Sequence, residues 1–384
     1  MKIAVAGAGL RAGHVLSIFK EAEPGLEFVG YFDPSPAHLD MIDASMPRFE
    51  TVETMLSETK PDLFFVGSPN NFHLDHIKAG LEADVPWIFT EKPVVISIEE
   101  TLELGRLLAA HGGASRLMVG LVLRYSQHML DLKNAMEADV LGPIASLEAN
   151  EHIAPYHGSF FMRDWRRKSA LSGGFMLEKC CHDLDLYNMI TSSRPSRVAS
   201  FGGKRSFVTE HAELSGAEEE IFSRKKSSWM SADDPFKADG DIVDFQTAIL
   251  SYESGASLAF HTNINVPDEH RRFCVVGAKG MAEGDFVRGY LKVTKRDGSV
   301  FLDRDYTSGE FDQRGSHYGA DHMMVADILS FLNKDRATLP VSIVDALEAG
   351  VAALALDEAR KSGQVVDLSE TWAAFDQFGL RGQG

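Results

Sequence analysis

From Met1 to about Leu123, short apolar runs alternate with stretches whose apolar residues recur at helical spacing. The runs are Ile3–Ala6, Phe28–Phe32, Leu63–Gly67, Trp87–Thr90 and Leu117–Leu123. Between them, Val15, Ile18 and Phe19 mark one amphipathic stretch, and Leu102, Leu104, Leu107 and Leu108 mark another. The second opens on Ser97 with Glu100 three residues on, a capping-box signature. Strands alternating with helices predict an α/β fold, a doubly wound parallel sheet with helices on both faces.

After Arg124 the pattern changes. Strand-like segments now follow one another directly: Asp241–Tyr252, Ala256–Val266, Arg272–Val276, Met281–Val287 and Tyr290–Thr294. Turn signals such as Glu253-Ser254-Gly255 and Asp297-Gly298 join them, which predicts an open, mostly antiparallel sheet. The domain boundary is expected near Leu123, giving regions 1–123 and 124–384. Helices are expected from about Gly174 to Thr191 and in a C-terminal pair beginning near Asp321 and Ser342. The last has Ser342 and Asp345 as a capping pair and Gly363 as its stop. Residues 204–239 are polar and poorly periodic, and read as a surface insertion, either a lid or a loop with no role.

Composition narrows the function. At 384 residues the chain exceeds a typical single core, so two domains are the natural expectation. Asp and Glu number 56 against 38 Lys and Arg, a formal net charge of -18. That disfavours nucleic acid and anionic membranes as partners, since both need a basic footprint. No stretch approaches the apolar length of a membrane span or a secretory signal. Three cysteines, with only Cys180 and Cys181 adjacent, suit a reducing cytoplasm. Cys180-Cys181-His182 lacks the spacing of zinc ligands, so no metal is expected.

Chemistry first enters at the end of the first run. Ile3–Ala6 passes directly into Gly7-Ala8-Gly9-Leu10-Arg11-Ala12, a G-x-G-x-x-A fingerprint. Glycines there permit a sharp turn and close approach of a pyrophosphate, met by free N–H groups and the helix dipole. The second run ends in Asp33, placed to accept hydrogen bonds from an adenosine ribose. Pro34-Ser35-Pro36-Ala37-His38 follows without Arg or Lys, so NAD is preferred over NADP.

Two further constellations carry candidate catalysis. In Phe89-Thr90-Glu91-Lys92-Pro93 a strand ends where open α/β sheets bind ligands, and Pro93 restricts Lys92 to extended geometry. Lys92 is either a solvated charge or a group aimed to stabilise a developing oxyanion. In Gly173–Asp185, Glu178 and His182 are i and i+4 on a helix, with Asp185 three residues further on. A carboxylate beside an imidazole suits a general base, although the same spacing serves a helix-stabilising pair equally well.

Together with Ser68-Pro69-Asn70-Asn71-Phe72-His73 and Asp164-Trp165-Arg166, and the closing Ser362–Asp367, these motifs resemble the glucose–fructose oxidoreductase, inositol dehydrogenase and MocA (Gfo/Idh/MocA) family over nearly the whole length. The resemblance implies an N-terminal Rossmann domain and a C-terminal substrate-binding and oligomerisation domain, with the active site in the cleft between them. It implies that Lys92 and His182 assist proton transfer from a substrate hydroxyl while nicotinamide takes hydride. It implies that Ser68, Asn70, His73 and Glu91 border the cofactor, and that Arg124, Tyr125, Trp165 and Arg166 line the cleft. His317 and Asp321, at a helix start, match positions that often present polar groups to substrate. Glu178 departs from the family, which usually has aspartate there, and points to a different substrate. The expected activity is an NAD-dependent dehydrogenase acting on a sugar, sugar acid or cyclic polyol. An NAD-dependent glycosidase using transient ring oxidation and a non-catalytic sugar sensor are the alternatives. An exposed sheet face predicts a homodimer or homotetramer.

Overall fold

The structure, a computed structural model, describes residues 1–212, 234–237, 239–307 and 316–381. Most of the expected insertion at 204–239 lies outside them. The chain forms two compact units: residues 1–125, 320–351 and 370–384, and residues 126–319 and 352–369.

In the first unit, β1 (Lys2–Ala6), β2 (Glu27–Phe32), β3 (Leu63–Val66), β4 (Trp87–Thr90) and β5 (Leu117–Val119) form a parallel sheet in the order β2-β1-β3-β4-β5. Ile3–Ala6 and Leu63–Val66 are wholly buried, as strands covered on both faces must be. Strand order reverses between β1 and β3, and open sheets of this kind bind ligands outside the carboxyl ends at that point. The expected run Leu117–Leu123 stops pairing at Val119, because its neighbour β4 ends at Thr90 and the chain turns at Val122–Tyr125. Ser97 accepts the Glu100 N–H at 3.1 Å, while the Glu100 carboxylate accepts the N–H of Ile96 at 2.8 Å.

Late segments also belong to this unit, which a single linear cut at 123/124 does not capture. Helix Ala320–Leu332 sets Phe331 against Trp87 of β4 with ring centroids 5.3 Å apart. Arg124 donates to Pro340 O at 3.2 Å and pairs with Asp345 at 3.6 Å. Ser342 Oγ accepts the Asp345 N–H at 3.2 Å and Asp345 accepts from Ser342 N at 2.8 Å, so the expected capping pair is formed.

The second unit holds a nine-stranded sheet. Its strands are β6 (Ile144–His152), β7 (Pro195–Gly203), β8 (Phe245–Tyr252), β9 (Ser257–Asn263), β10 (Arg272–Gly277), β11 (Gly280–Asp285), β12 (Tyr290–Lys295), β13 (Val300–Asp305) and β14 (Val366–Asp367). The order is β13-β12-β11-β10-β6-β9-β8-β7-β14, antiparallel throughout except for β6 with β9. Inward positions alternate cleanly, as in Ala248, Leu250, Leu258 and Phe260. Helix Phe175–Thr191 lies over this face, with Tyr187 and Phe260 ring centroids 6.2 Å apart. The opposite face leaves Phe201 72% and Ile249 60% exposed.

β8 begins at Phe245, not at the expected Asp241. The buried Asp244 carboxylate accepts the backbone N–H groups of Arg205, Ser206 and Phe207 at 2.6 to 2.9 Å, which takes the chain out of the strand there.

Candidate functional site

The glycine loop shows why each residue type is needed. Gly7 has φ +91°, and a Cβ there would stand 2.3 Å from Ser68 N, so the β1 and β3 loops touch only because it is glycine. Gly9 caps helix Leu10–Ala22 with no side chain over it, no acid in the first turn, and open space where its Cβ would be. The first N–H groups of that helix are therefore left to an anion. Asp33 Oδ2 accepts the Ala8 N–H at 2.7 Å and Oδ1 accepts the Ser35 N–H at 2.7 Å. The remaining lone pairs of the carboxylate can meet a ribose diol. These features fit a dinucleotide.

The neighbouring loops are less simple than the sequence implied. His73 is buried, with Nδ1 2.8 Å from Pro93 O and Nε2 2.8 Å from Ser68 O. Its ring braces two candidate cofactor loops with both nitrogens turned to the main chain. Ser68 Oγ lies 3.0 Å from His76 Nδ1, and burial pushes the His76 imidazole down to about 4. Asn70 is buried and Lys92 half-buried, and the Lys92–Pro93 peptide is cis. Glu91 accepts from Arg11 Nε at 2.9 Å.

Arg11 and Asp321 meet in a way that sequence spacing could not disclose. Arg11 Nη2 lies 2.7 Å from Asp321 Oδ1, and His14 Nε2 lies 3.2 Å from Asp321 Oδ2. Burial works against the charge on Arg11, but Glu91 and Asp321 outweigh it and raise its pKa further. Expected as a substrate group beside His317, Asp321 is 1% exposed and faces Arg11 and His14 of the first unit, whereas His317 belongs to the second. Arg124 and Tyr125 are likewise buried, at 6% and 1% exposure, and Arg124 braces Pro340 and Asp345.

In the second unit, Gly174 starts helix Phe175–Thr191 with φ +96°, and a Cβ would stand 2.4 Å from Asp357 Oδ2. Only glycine can begin the helix this close to that carboxylate. Glu178, His182 and Asp185 are all buried, on one side of the helix by spacing. The ring of His182 lies 5.8 Å from that of His317. His317 and Tyr318 both hold left-handed backbone, at φ 52° and 58°. Each such non-glycine residue costs about 1 kcal/mol or more, a signature common at functional sites. Arg166 stands over the rings of Phe160 and Trp165 at 4.2 and 4.3 Å, with Nε 3.8 Å from Glu178 Oε1. A cation fixed between two aromatic faces thus balances the Glu178 carboxylate.

Sequence reasoning missed what holds the helix in place. Arg271, 2% exposed, grips Asp183 through Nε at 2.8 Å and Nη2 at 2.7 Å, and meets Glu151 at 3.0 Å. Lys179 reaches Glu151 at 3.0 Å. Burial would raise Glu151, yet Arg271 and Lys179 hold it below its ordinary value. Asp183 directly follows His182, so the candidate base is tied to β6 and to the start of β10 through the network.

A glycine loop at the switch point of a parallel sheet, with Glu178 and His182 both buried on one helix of the second unit, describes a dinucleotide-binding α/β protein. Residues 1–121 match the Gfo/Idh/MocA oxidoreductase family with NAD-binding Rossmann fold, and residues 129–283 match the GFO/IDH/MocA C-terminal domain. The chain belongs to this family. Among curated relatives, a Bacillus subtilis protein named as an oxidoreductase, YteT, is 23% identical over 86% of this chain and 88% of its own length. The 2,7-anhydro-N-acetylneuraminate hydratase of Mediterraneibacter gnavus is 23% identical over 57% of this chain and 56% of its own. Among solved structures, scyllo-inositol dehydrogenase of Lactobacillus casei with bound NAD(H) and scyllo-inositol superposes with TM-score 0.69 at 21% identity, covering 96% of this chain and 99% of that one. The WlbA dehydrogenase of Chromobacterium violaceum, solved with NADH and UDP-GlcNAcA, gives 0.72 at 15% identity, over 96% of each chain. At such identities the likeness is one of fold. Among the described residues no helix is long and apolar enough to cross a membrane.

Proposed function

We propose that this chain is an NAD-dependent oxidoreductase moving hydride between a secondary hydroxyl carbon of a sugar, sugar acid or cyclic polyol and a nicotinamide. The observation that carries this reading is the burial of Glu178 and His182 on one helix, with the His182 ring 5.8 Å from that of His317, in a chain whose other unit has an open glycine loop. Gly7, Gly9, Leu10, Arg11 and Ala12 form that loop, and Asp33 with no basic group at 34–38 favours NAD over NADP. Bound nicotinamide supplies the hydride acceptor. His182 takes the hydroxyl proton, and Lys92 steadies the developing alkoxide. Glu178 orients the imidazole and is itself balanced by Arg166. Trp165, Arg166 and His317 contact the sugar. The protein works in the cytoplasm as a homodimer or homotetramer joined through the face carrying Phe201 and Ile249.

A second reading is supported by the relative named as a hydratase, whose reaction needs no net oxidation. Here the same residues would serve a transient oxidation followed by elimination or addition, as in an NAD-dependent glycosidase. One experiment separates the two: purified protein with NAD and a panel of sugars, sugar acids, polyols and their glycosides, followed at once for NADH and for cleavage. NADH accumulation supports the dehydrogenase, and cleavage without it supports the second reading. Cofactor and sugar binding with neither reaction would leave a sensor.

A further inference from the structure

Three carboxylates stand near the carboxyl ends of the parallel sheet: Asp33 after β2, Glu91 after β4, and Asp321 from helix Ala320–Leu332. Asp33 is accounted for by the glycine loop. The other two close on Arg11. Its Nε meets Glu91 Oε1 at 2.9 Å and its Nη2 meets Asp321 Oδ1 at 2.7 Å, while the far oxygen of Asp321 lies 3.2 Å from His14. Both carboxylates are at least nine-tenths buried. Arg11 is the second residue of the helix whose N-terminus awaits a diphosphate, and a guanidinium there would swing to that anion unless something held it back.

We propose that Asp321 is a positioning residue of the cofactor site: it retains Arg11 on Glu91, and so fixes the Glu91–Lys92 corner relative to the glycine loop before the dinucleotide arrives. The inference rests on the reading that one nicotinamide dinucleotide spans the loop after β1 and the corner after β4. Those ends lie two strands apart in the order β1-β3-β4, and ligands of such sheets occupy this edge. Without Asp321, Arg11 trades Glu91 for the diphosphate. The phosphate end then loses nothing, but Glu91 is left buried without its cation and the corner loosens. Preorganisation is lost only for the part of the ligand that meets the corner.

The test uses two probes, NAD+ and ADP-ribose, which share the diphosphate and differ by the nicotinamide. Calorimetric titration of the full chain is expected to show Asp321→Asn binding NAD+ roughly tenfold more weakly, with ADP-ribose bound no more weakly than by the unmodified chain. Glu91→Gln should show the same selectivity, and the double variant should be no worse than the weaker single, because the two act through one guanidinium. Should Asp321→Asn fail to fold, Arg11→Lys preserves the charge but cannot bridge both carboxylates, and should reproduce the pattern. Equal losses for both probes, no loss, or additive effects in the double variant overturn the proposal and leave the proposed activity standing. If the unmodified chain binds neither probe, both fall together.

Discussion

His128 offers a quantitative check on the second unit, because its environment fixes both the sign and the size of an effect. The imidazole is 1% exposed, with ring centroids 4.0 Å from Tyr306 and 4.9 Å from Phe286. Burial pushes it down from 6.5 to about 3. Above pH 6.5 folded and unfolded chains both carry it neutral, and it contributes no pH dependence. As pH falls from 6.5 towards 3, the unfolded chain binds a proton that the native state refuses, so stability declines across that window. At pH 5 the unfolded imidazole is about 1.5 units below its pKa, which at about 1.4 kcal/mol per unit amounts to roughly 2 kcal/mol lost relative to pH 7.5. His128→Phe replaces a buried polar ring with an apolar one of similar shape, close to neutral in cost at pH 7.5. Urea titrations followed by circular dichroism at pH 7.5 and 5.0 should show the variant losing about 2 kcal/mol less than the unmodified protein. His76 and His152, both pushed down to about 4, keep their share of the slope in either protein and cancel in the comparison. Equal losses in the two proteins would refute the argument.

Three further outcomes are expected. NAD should bind more tightly than NADP, and Asp33→Ala should narrow the gap. Fluorescence titration of both cofactors decides this, and tighter NADP binding in the unmodified protein would contradict it. His182→Ala and Lys92→Ala should each lower turnover about a hundredfold or more on whichever substrate the panel identifies, while Glu178→Asp keeps partial activity. A well-folded His182→Ala protein with near-full turnover would remove His182 as the base. Phe201→Asp combined with Ile249→Asp should yield monomers by light scattering where the unmodified chain assembles, and an unmodified chain that is already monomeric at micromolar concentration would rule out assembly through this face.

The parallel sheet was legible because its strands are continuous apolar runs closed by glycine or proline, and those features are local. β6 was not, although it is central in the second sheet. Ile144–His152 carries only Leu147 and Ala149 as buried apolar residues, and its next inward position is Glu151, a charge neutralised by Arg271 and Lys179. A strand whose alternation is completed by an ion pair leaves no hydrophobic signal. β7 and β13 hid for a related reason: they carry apolar residues such as Phe201 and Phe301 on exposed positions. At the site, Glu178 and His182 are near neighbours in sequence and could be paired on paper. Arg11 with Asp321, and Asp183 with Arg271, lie 310 and 88 positions apart, and a lone arginine gives no hint of its partner. The contacts of Asp321 with Arg11 and His14 follow from charge pairing across the chain, which no local pattern announces.

The charge network under helix Phe175–Thr191 divides the molecule into two electrical regimes. A net charge of -18 leaves a surface whose self-repulsion is screened over about 8 Å at physiological ionic strength. Arg271, Asp183 and Glu151 are each no more than 3% exposed, and dissolved ions do not reach them. Added salt therefore quiets the surface and leaves the anchorage of His182 untouched. The helix keeps His182 in register from dilute buffer to concentrated brine, and ionic strength acts on how the protein meets other molecules and not on where that imidazole stands.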